Sequence, residues 1–162
     1  SIQDNLFSAD QKTVLSALNS ILIKGNKLYL PMLFDLLVSM PEPEIRKEII
    51  KLMETVKDKE TIPIFMAAIL NKKYRPVLRS LLAICWQNGL DFSRYIDNFV
   101  DIIVNENWET AFEAFTIIDN LEFLPDSNKR REINEKINTL LTTVSEQKKY
   151  FLEEIQKIIS EQ

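Results

Sequence analysis

The sequence predicts an all-α protein built from repeated helical hairpins, and three observations lead to that prediction. Only two of the 162 residues are glycine, although tight β-turns and phosphate-binding loops need glycine for backbone angles with positive φ. Apolar residues recur at the spacing of a helix face, and no segment alternates apolar and polar residues as a strand would. The same helical segments also recur after 31–34 residues, a period typical of stacked hairpins.

Nine helices are predicted from the apolar spacing, beginning near residues 8, 27, 44, 60, 74, 91–93, 107, 127 and 147. Ser8 is expected to open the first helix, with Gln11 as its capping-box partner and Gly25 just past the helix end. Pro31 and Pro63 fall in the first turns of the second and fourth helices, where a missing N–H costs little. Gly89 is expected to end the fifth helix. The expected N-terminal caps of later helices are Asp58, Asp91 or Ser93, Asn107, Asp126 or Ser127, and Ser145.

The predicted helices form pairs, and corresponding positions of successive pairs align. Residues 30–33 correspond to 62–65 at a separation of 32, and residues 77–81 correspond to 111–115 at a separation of 34. Insertions in surface turns account for a drift of one or two residues. Because each hairpin buries its apolar faces only against its neighbours, this period predicts an α-solenoid.

One stretch of the repeat carries a motif. Pro41-Glu42-Pro43-Glu44-Ile45-Arg46 is followed by a helix, by Asp58 and by Thr61-Ile62-Pro63-Ile64. This stretch, residues 41–71, resembles a HEAT repeat of the short bacterial kind, and the pattern extends more loosely over 8–122. The resemblance implies a right-handed α-α superhelix of about four hairpins and about nine helices, whose second helices line a concave face. Residues 1–162 are then expected to be one domain, with the polar hairpin 127–162 as its C-terminal cap.

Few residues suggest chemistry. Histidine is absent, which removes the usual general base at neutral pH and the commonest transition-metal ligand. Cys85, the only cysteine, lies on the apolar stripe of the fifth helix and is expected to be a buried, inert thiol. Trp108 and Phe112 are expected together on the apolar side of the seventh helix, with Trp108 packed in the core, and Trp86 is expected to pack at the edge of the stripe on the fifth helix. We therefore expect no enzymatic activity, with no catalytic residue, metal site or cofactor.

Charge is distributed unevenly along the chain. Residues 91–126 carry nine acidic residues and one base, Arg94, whereas residues 61–90 carry four bases and no acid. Solvated outer faces are one interpretation of this pattern. The other is a partner-binding surface, for which the candidates are Asp35, Asp97, Asp101 and Arg94. The basic residues Lys72, Lys73, Arg75 and Arg79 form a second candidate patch.

These observations favour a scaffold that binds a protein or peptide through a concave face, and the acidic residues favour a basic partner. One alternative is a nucleic-acid-binding protein or a DNA-glycosylase-like enzyme that uses the basic cluster 72–79, which a sequence pI near 5.0 disfavours. Another is an accessory or regulatory domain of a larger chain. The longest apolar run, 62–70, is too short to cross a bilayer and no signal-peptide pattern is present. A cytoplasmic monomer without membrane contact is therefore expected.

Overall fold

All the regular structure of the protein is helical in the computed structural model, which describes residues 1–24 and 27–160 apart from the side chains at 22–24. The all-α prediction is therefore confirmed for these residues. Ten α-helices lie in this part of the chain: α1 Ile2–Leu6, α2 Gln11–Lys24, α3 Leu30–Val38, α4 Pro43–Glu54, α5 Ile62–Ile69, α6 Leu78–Asn88, α7 Ile96–Asn105, α8 Trp108–Asp119, α9 Ser127–Leu140 and α10 Glu146–Ser160.

The count of nine helices misses α1, whereas each predicted helix corresponds to one of α2–α10. Helix α1 has only five residues, too few for an apolar repeat to show in the sequence. Its first turn is closed by the Ser1 hydroxyl, which accepts a hydrogen bond from the Asp4 amide. Its one buried side chain is Leu6.

Side-chain caps set the start of several helices, mostly where the sequence predicts them. Asn107 accepts a hydrogen bond from the amide of Thr110, and Asp126 accepts one from Lys129. The prediction of Ser8 as the first cap is wrong, because Asp10 accepts from the Thr13 amide and α2 begins at Gln11. The Ser8 hydroxyl instead accepts from the amide of Asp10.

Four helices begin with a tighter turn than the sequence predicts. Short 3-10 segments, Lys27–Tyr29, Lys59–Thr61, Lys72–Val77 and Ser93–Tyr95, lead into α3, α5, α6 and α7. Pro31 and Pro63 lie in the first turn of α3 and α5 as expected. Gly89 ends α6 in the left-handed conformation at φ 72°, also as expected, whereas Gly25 lies outside the described residues.

The chain divides into two compact units, residues 1–90 and 91–162. In the first unit α2 packs on α4 and α4 packs on α6, while α3 packs on α5. Side chains one repeat apart meet across these contacts: Gln11 Nε2 lies 2.6 Å from a Glu44 carboxylate oxygen, and Arg46 lies 2.7 Å from Ser80 Oγ. These partners are 33 and 34 residues apart in sequence. The first helices of successive pairs therefore stack in register within this unit.

An aromatic cluster joins α3 and α5, the second helices of two successive helix pairs in the first unit. Phe34 of α3 contacts Phe65 of α5 edge to face, with 5.7 Å between ring centroids. Phe34 contacts Tyr74, in the turn before α6, in the same way at 5.8 Å. Both phenylalanines are buried and Tyr74 is 8% exposed. Edge-to-face pairs favour one relative placement of their rings, so this cluster holds Tyr74 beside α3.

The second unit is built around α10, which packs on α8, α9 and α7, while α7 and α8 form a close pair. Phe151 of α10 is buried against Phe115 of α8, with 5.2 Å between ring centroids. The Lys148 ammonium donates hydrogen bonds to the carbonyls of Ile103 and Glu106 at the end of α7. A cation at a helix C-terminus satisfies free carbonyls and opposes the negative end of the helix dipole.

One side-chain prediction in the second unit is wrong. Trp108 and Phe112 were expected on the buried face of α8, but each is 43% exposed. Ala111 and Ile118 define that face, since both are fully buried. At about 100° per residue, Trp108 and Phe112 lie about 60–100° around the helix from Ala111, at the margin of the buried face.

None of the described helices is both long and apolar enough to span a membrane.

Candidate functional site

The acidic and basic candidates of the first unit meet. Asp35 lies on α3, one turn before the helix end, and Lys73 lies in the 3-10 segment before α6. The Lys73 ammonium is 2.7 Å from Asp35 Oδ1, and the Tyr74 hydroxyl donates to the same oxygen at 2.5 Å. The Lys73 ammonium also lies 5.4 Å from the centroid of the Tyr74 ring. Sequence reasoning placed Asp35 and Lys73 on separate surfaces, whereas they form one cluster.

The three groups of this cluster shift one another's pKa values. Partial burial raises the pKa of Asp35, but the hydrogen bonds from Lys73 and Tyr74 and the Lys73 charge outweigh it, so the pKa lies below its usual value. The hydrogen bond to Asp35 raises the pKa of Lys73. Burial, and then the bond to Asp35, raises the pKa of Tyr74. Asp35 and Lys73 are therefore both charged at neutral pH, and the cluster carries no net charge.

An open groove lies beside this cluster, between α3 and α5. It has a volume of about 380 Å³. Its lining is mostly apolar: Pro31, Phe34, Pro63, Ile64, Ala67, Ala68, Asn71 and Tyr74. Pro31, Pro63 and Ala67 are exposed, so the floor is accessible from solvent. Tyr74 belongs to both the groove and the Asp35 cluster, which places a charged edge on an apolar surface.

The remaining bases of the candidate patch are spread along the chain next to the groove. Lys72 and Arg75 are exposed in the 3-10 segment, and Arg79 is exposed on the first turn of α6. The Asn71 side chain accepts from the amide of Lys73 and so fixes the start of this segment. Because Asp35 pairs with Lys73, the patch offers a phosphate one cation fewer than its sequence suggests.

The acidic candidates of the second unit are also paired. Asp97 and Asp101 lie one turn apart on α7, as predicted, and Lys136 of α9 bridges them. The Lys136 ammonium is 2.8 Å from Asp97 Oδ1 and 2.7 Å from Asp101 Oδ1. Burial lowers the pKa of Lys136, but the bonds to the two carboxylates outweigh it and hold its pKa above the usual value. Arg94 is exposed in the 3-10 turn before α7, and none of the ion pairs between described residues joins it to these carboxylates.

Lys136 is a functional candidate that sequence reasoning missed. It lies 39 residues after Asp97, in a helix that fits the repeat poorly, so no spacing rule connects the two. The exposed aromatic pair Trp108 and Phe112 was also missed. Its signal was present in the sequence, since both residues are offset from the 111, 115, 118 stripe.

The groups that could support covalent or metal chemistry are few. Cys85 is 1% exposed, as predicted, and burial raises the pKa of its thiol. A buried neutral thiol is a poor nucleophile, because the thiolate is the reactive form. Among the described residues no group of three or more His, Cys, Asp or Glu side chains is placed to hold a metal ion.

A scan against protein-family models and a search of the curated proteins both give no match. The resemblance to HEAT repeats therefore rests on the sequence pattern of residues 41–71 and its looser continuation.

Proposed function

We propose that this protein is a non-catalytic scaffold that binds a protein or peptide through the second helices of a HEAT-like, right-handed α-solenoid. The observation that carries the proposal is the open groove between α3 and α5, with the Asp35–Lys73–Tyr74 cluster at its edge. Apolar grooves with a few polar groups at the margin are a common form of peptide site, in which the apolar floor supplies affinity and the polar edge fixes orientation.

The stacking within the first unit supports the solenoid. The pairs Gln11–Glu44 and Arg46–Ser80 connect first helices one repeat apart, and Lys27–Glu60 connects the 3-10 turns before α3 and α5. All three pairs span 33 or 34 residues, which matches the sequence period. Corresponding positions of successive hairpins are therefore neighbours in space, as expected when repeats stack.

The carboxylates of α3 and α7 support the proposal of a basic partner. Both contacts to Asp35 use Oδ1, and Lys136 likewise contacts the Oδ1 atoms of Asp97 and Asp101. Within the described residues, each carboxylate therefore keeps Oδ2 as an acceptor for a donor on a partner. Lys136 also competes with a partner cation for the pair on α7, so its removal should strengthen the binding of a basic partner.

The groove is tested with a partner isolated by affinity purification and measured by titration calorimetry. Ala67 is exposed and lines the groove, so Ala67→Arg fills it without disturbing buried side chains. Ala9→Arg is the matched control, since Ala9 is exposed and lies between α1 and α2. We expect Ala67→Arg to weaken binding at least roughly tenfold, as for a central contact, and Ala9→Arg to change it little. Equal affinities for both variants would show that the groove is not the binding site.

The charge component has a test of its own. Reversal of both carboxylates, in Asp97→Lys with Asp101→Lys, should weaken a basic partner's binding, and Lys136→Gln should strengthen it. The two effects should shrink together as salt is raised, because exposed charges are screened. If the reversal and Lys136→Gln change affinity in the same direction, the partner does not contact these carboxylates.

A further inference from the structure

An aromatic platform is exposed on α8 in the second unit. Trp108 and Phe112 lie one turn apart and stack nearly parallel, with 5.4 Å between ring centroids and 3° between ring planes. Each residue is 43% exposed, although aromatic side chains of this size usually account for much of a core. Two large, adjacent and half-open rings are a feature of binding surfaces more than of solvated helix faces.

The platform packs on buried rings. Phe151 of α10 is 2% exposed and lies 6.0 Å from Trp108 and 6.2 Å from Phe112, between ring centroids. Phe115 in turn contacts Phe151, with 5.2 Å between their ring centroids. Side chains that are already ordered lose little conformational entropy when a ligand covers them. The pair is therefore preorganised as a contact surface.

A row of carboxylates runs beside the platform. Glu109 and Glu113 each follow one of the two aromatic residues, so they too lie one turn apart on α8. The helix from Trp108 to Asp119 contains three acidic residues and no lysine or arginine. The wider stretch 91–126 has a net charge of −8. The exposed surface of α8 thus combines an aromatic row with an acidic row at the same spacing.

We propose that this surface, the Trp108–Phe112 platform with Glu109 and Glu113, docks a basic segment of a partner protein. An arginine or lysine side chain has an apolar stem and a cationic head, so it covers a ring while its charge lies near a carboxylate. Arginine fits better than lysine, because its planar guanidinium stacks on a ring and pairs with a carboxylate at once. The inference rests on the proposed function, since it names the chemistry of the partner and a second contact surface.

A fluorescein-labelled hexa-arginine peptide, followed by fluorescence anisotropy, tests the surface directly, with hexa-lysine as a probe of equal charge. We expect Phe112→Leu and the double variant Glu109→Gln with Glu113→Gln each to weaken hexa-arginine binding roughly tenfold. Phe112→Leu retains apolar bulk over Phe151 and removes the aromatic face, and a thermal melt checks its fold. Hexa-lysine should bind more weakly than hexa-arginine to the unmodified protein, and Phe112→Leu should reduce that difference.

The chain provides matched controls. Glu44 and Glu48 on α4 have the same spacing and the same exposure classes as Glu109 and Glu113, but no aromatic pair beside them. Phe123 is 65% exposed in the same acidic stretch. Glu44→Gln with Glu48→Gln, and Phe123→Ala, should each leave affinity within about twofold of the unmodified protein. If these controls lose as much binding as the α8 variants, the peptide does not depend on this particular surface and the inference is wrong.

Two further outcomes would overturn the inference. If the protein self-associates in sedimentation experiments and Phe112→Leu abolishes that association, the platform joins two copies of the chain. If the natural partner is blocked by Ala67→Arg but unaffected by the α8 variants, the proposed function stands and the docking surface does not. The opposite result supports the inference: if the α8 variants weaken binding of the natural partner and Ala67→Arg does not, the docking surface stands and the groove assignment fails.

Discussion

Removal of Lys136 should destabilise the second unit measurably, because one ammonium there forms ion pairs with two carboxylates. Lys136 is 31% exposed, Asp97 42% and Asp101 56%, so solvent screens both ion pairs substantially. Partly exposed pairs of this kind contribute about 0.2–1 kcal/mol each. The expected loss for Lys136→Gln is therefore about 1 kcal/mol.

Urea unfolding followed by circular dichroism measures this loss, which corresponds to a fall in melting temperature of about 2–4 °C for a chain of this size. Lys149→Gln is the control, since Lys149 pairs with Glu146 at 3.5 Å and that carboxylate is 91% exposed. In a double-mutant cycle, Asp97→Asn with Asp101→Asn should remove most of the effect of Lys136→Gln. A loss no larger than that of Lys149→Gln, or an unchanged effect in the double-mutant background, would refute the bridging role.

The pH dependence provides a second check on Lys136. Because the pKa of Lys136 is raised on folding, its stabilisation is present below about pH 10.5 and is lost as the pH rises through the folded pKa. The Lys136→Gln variant has no ammonium to deprotonate at this position, so it should not lose this part of the stability as the pH rises. The difference between the two unfolding free energies should therefore shrink above pH 10.5.

Four other predictions concern local structure. Met40 has a left-handed backbone at φ 60°, so Met40→Gly should stabilise the protein by about 0.5–1 kcal/mol. Glycine relieves the backbone strain, and this gain exceeds the cost of the greater conformational entropy of glycine in the unfolded chain. Gly89→Ala at φ 72° should destabilise it by about 1 kcal/mol in the same unfolding assay, even though an added Cβ would meet only the Lys57 ammonium at 3.7 Å. Because the pKa of Asp35 is lowered on folding, its ion pair with Lys73 stabilises the fold at neutral pH, and this stabilisation is lost as the pH falls below about 3.8. Lys73→Gln should therefore lose less unfolding free energy on acidification than the unmodified protein. Cys85 should resist a thiol reagent such as dithionitrobenzoate in native buffer and react fully in denaturant; fast labelling of the native protein would contradict its burial.

Local features of the chain were predictable because they depend on neighbours in sequence. The spacing of apolar residues predicted nine of the ten helices in the described residues, and it missed only α1. Asn107 and Asp126 were recognisable as caps because a cap needs only an amide two or three residues further on. Ser8 failed as a cap because Asp10 was an equally suitable residue two positions later.

The candidate surfaces were less predictable, because charge along a sequence does not show which charges meet. Asp35 and Lys73 were assigned to separate candidate surfaces, yet they form an ion pair. Asp97 and Asp101 were placed correctly on one face of α7, but Lys136, the residue that pairs with both, is 35 residues or more away in sequence. A repeat of 31–34 residues indicates which helices correspond, but a rotation of about 100° per residue decides which side chains of those helices meet.

The sequence alone determined that this chain is helical, where its helices lie and how they repeat, since hydrophobic spacing, caps and prolines act within a few residues. Tertiary structure decided which charges are already paired, that a groove opens between α3 and α5, and that Trp108 and Phe112 remain half exposed. The physical reason is that burial and ion pairing are properties of surfaces brought together by packing. A shift of one residue around a helix exchanges a buried ring for an exposed one, and no local pattern specifies that rotation.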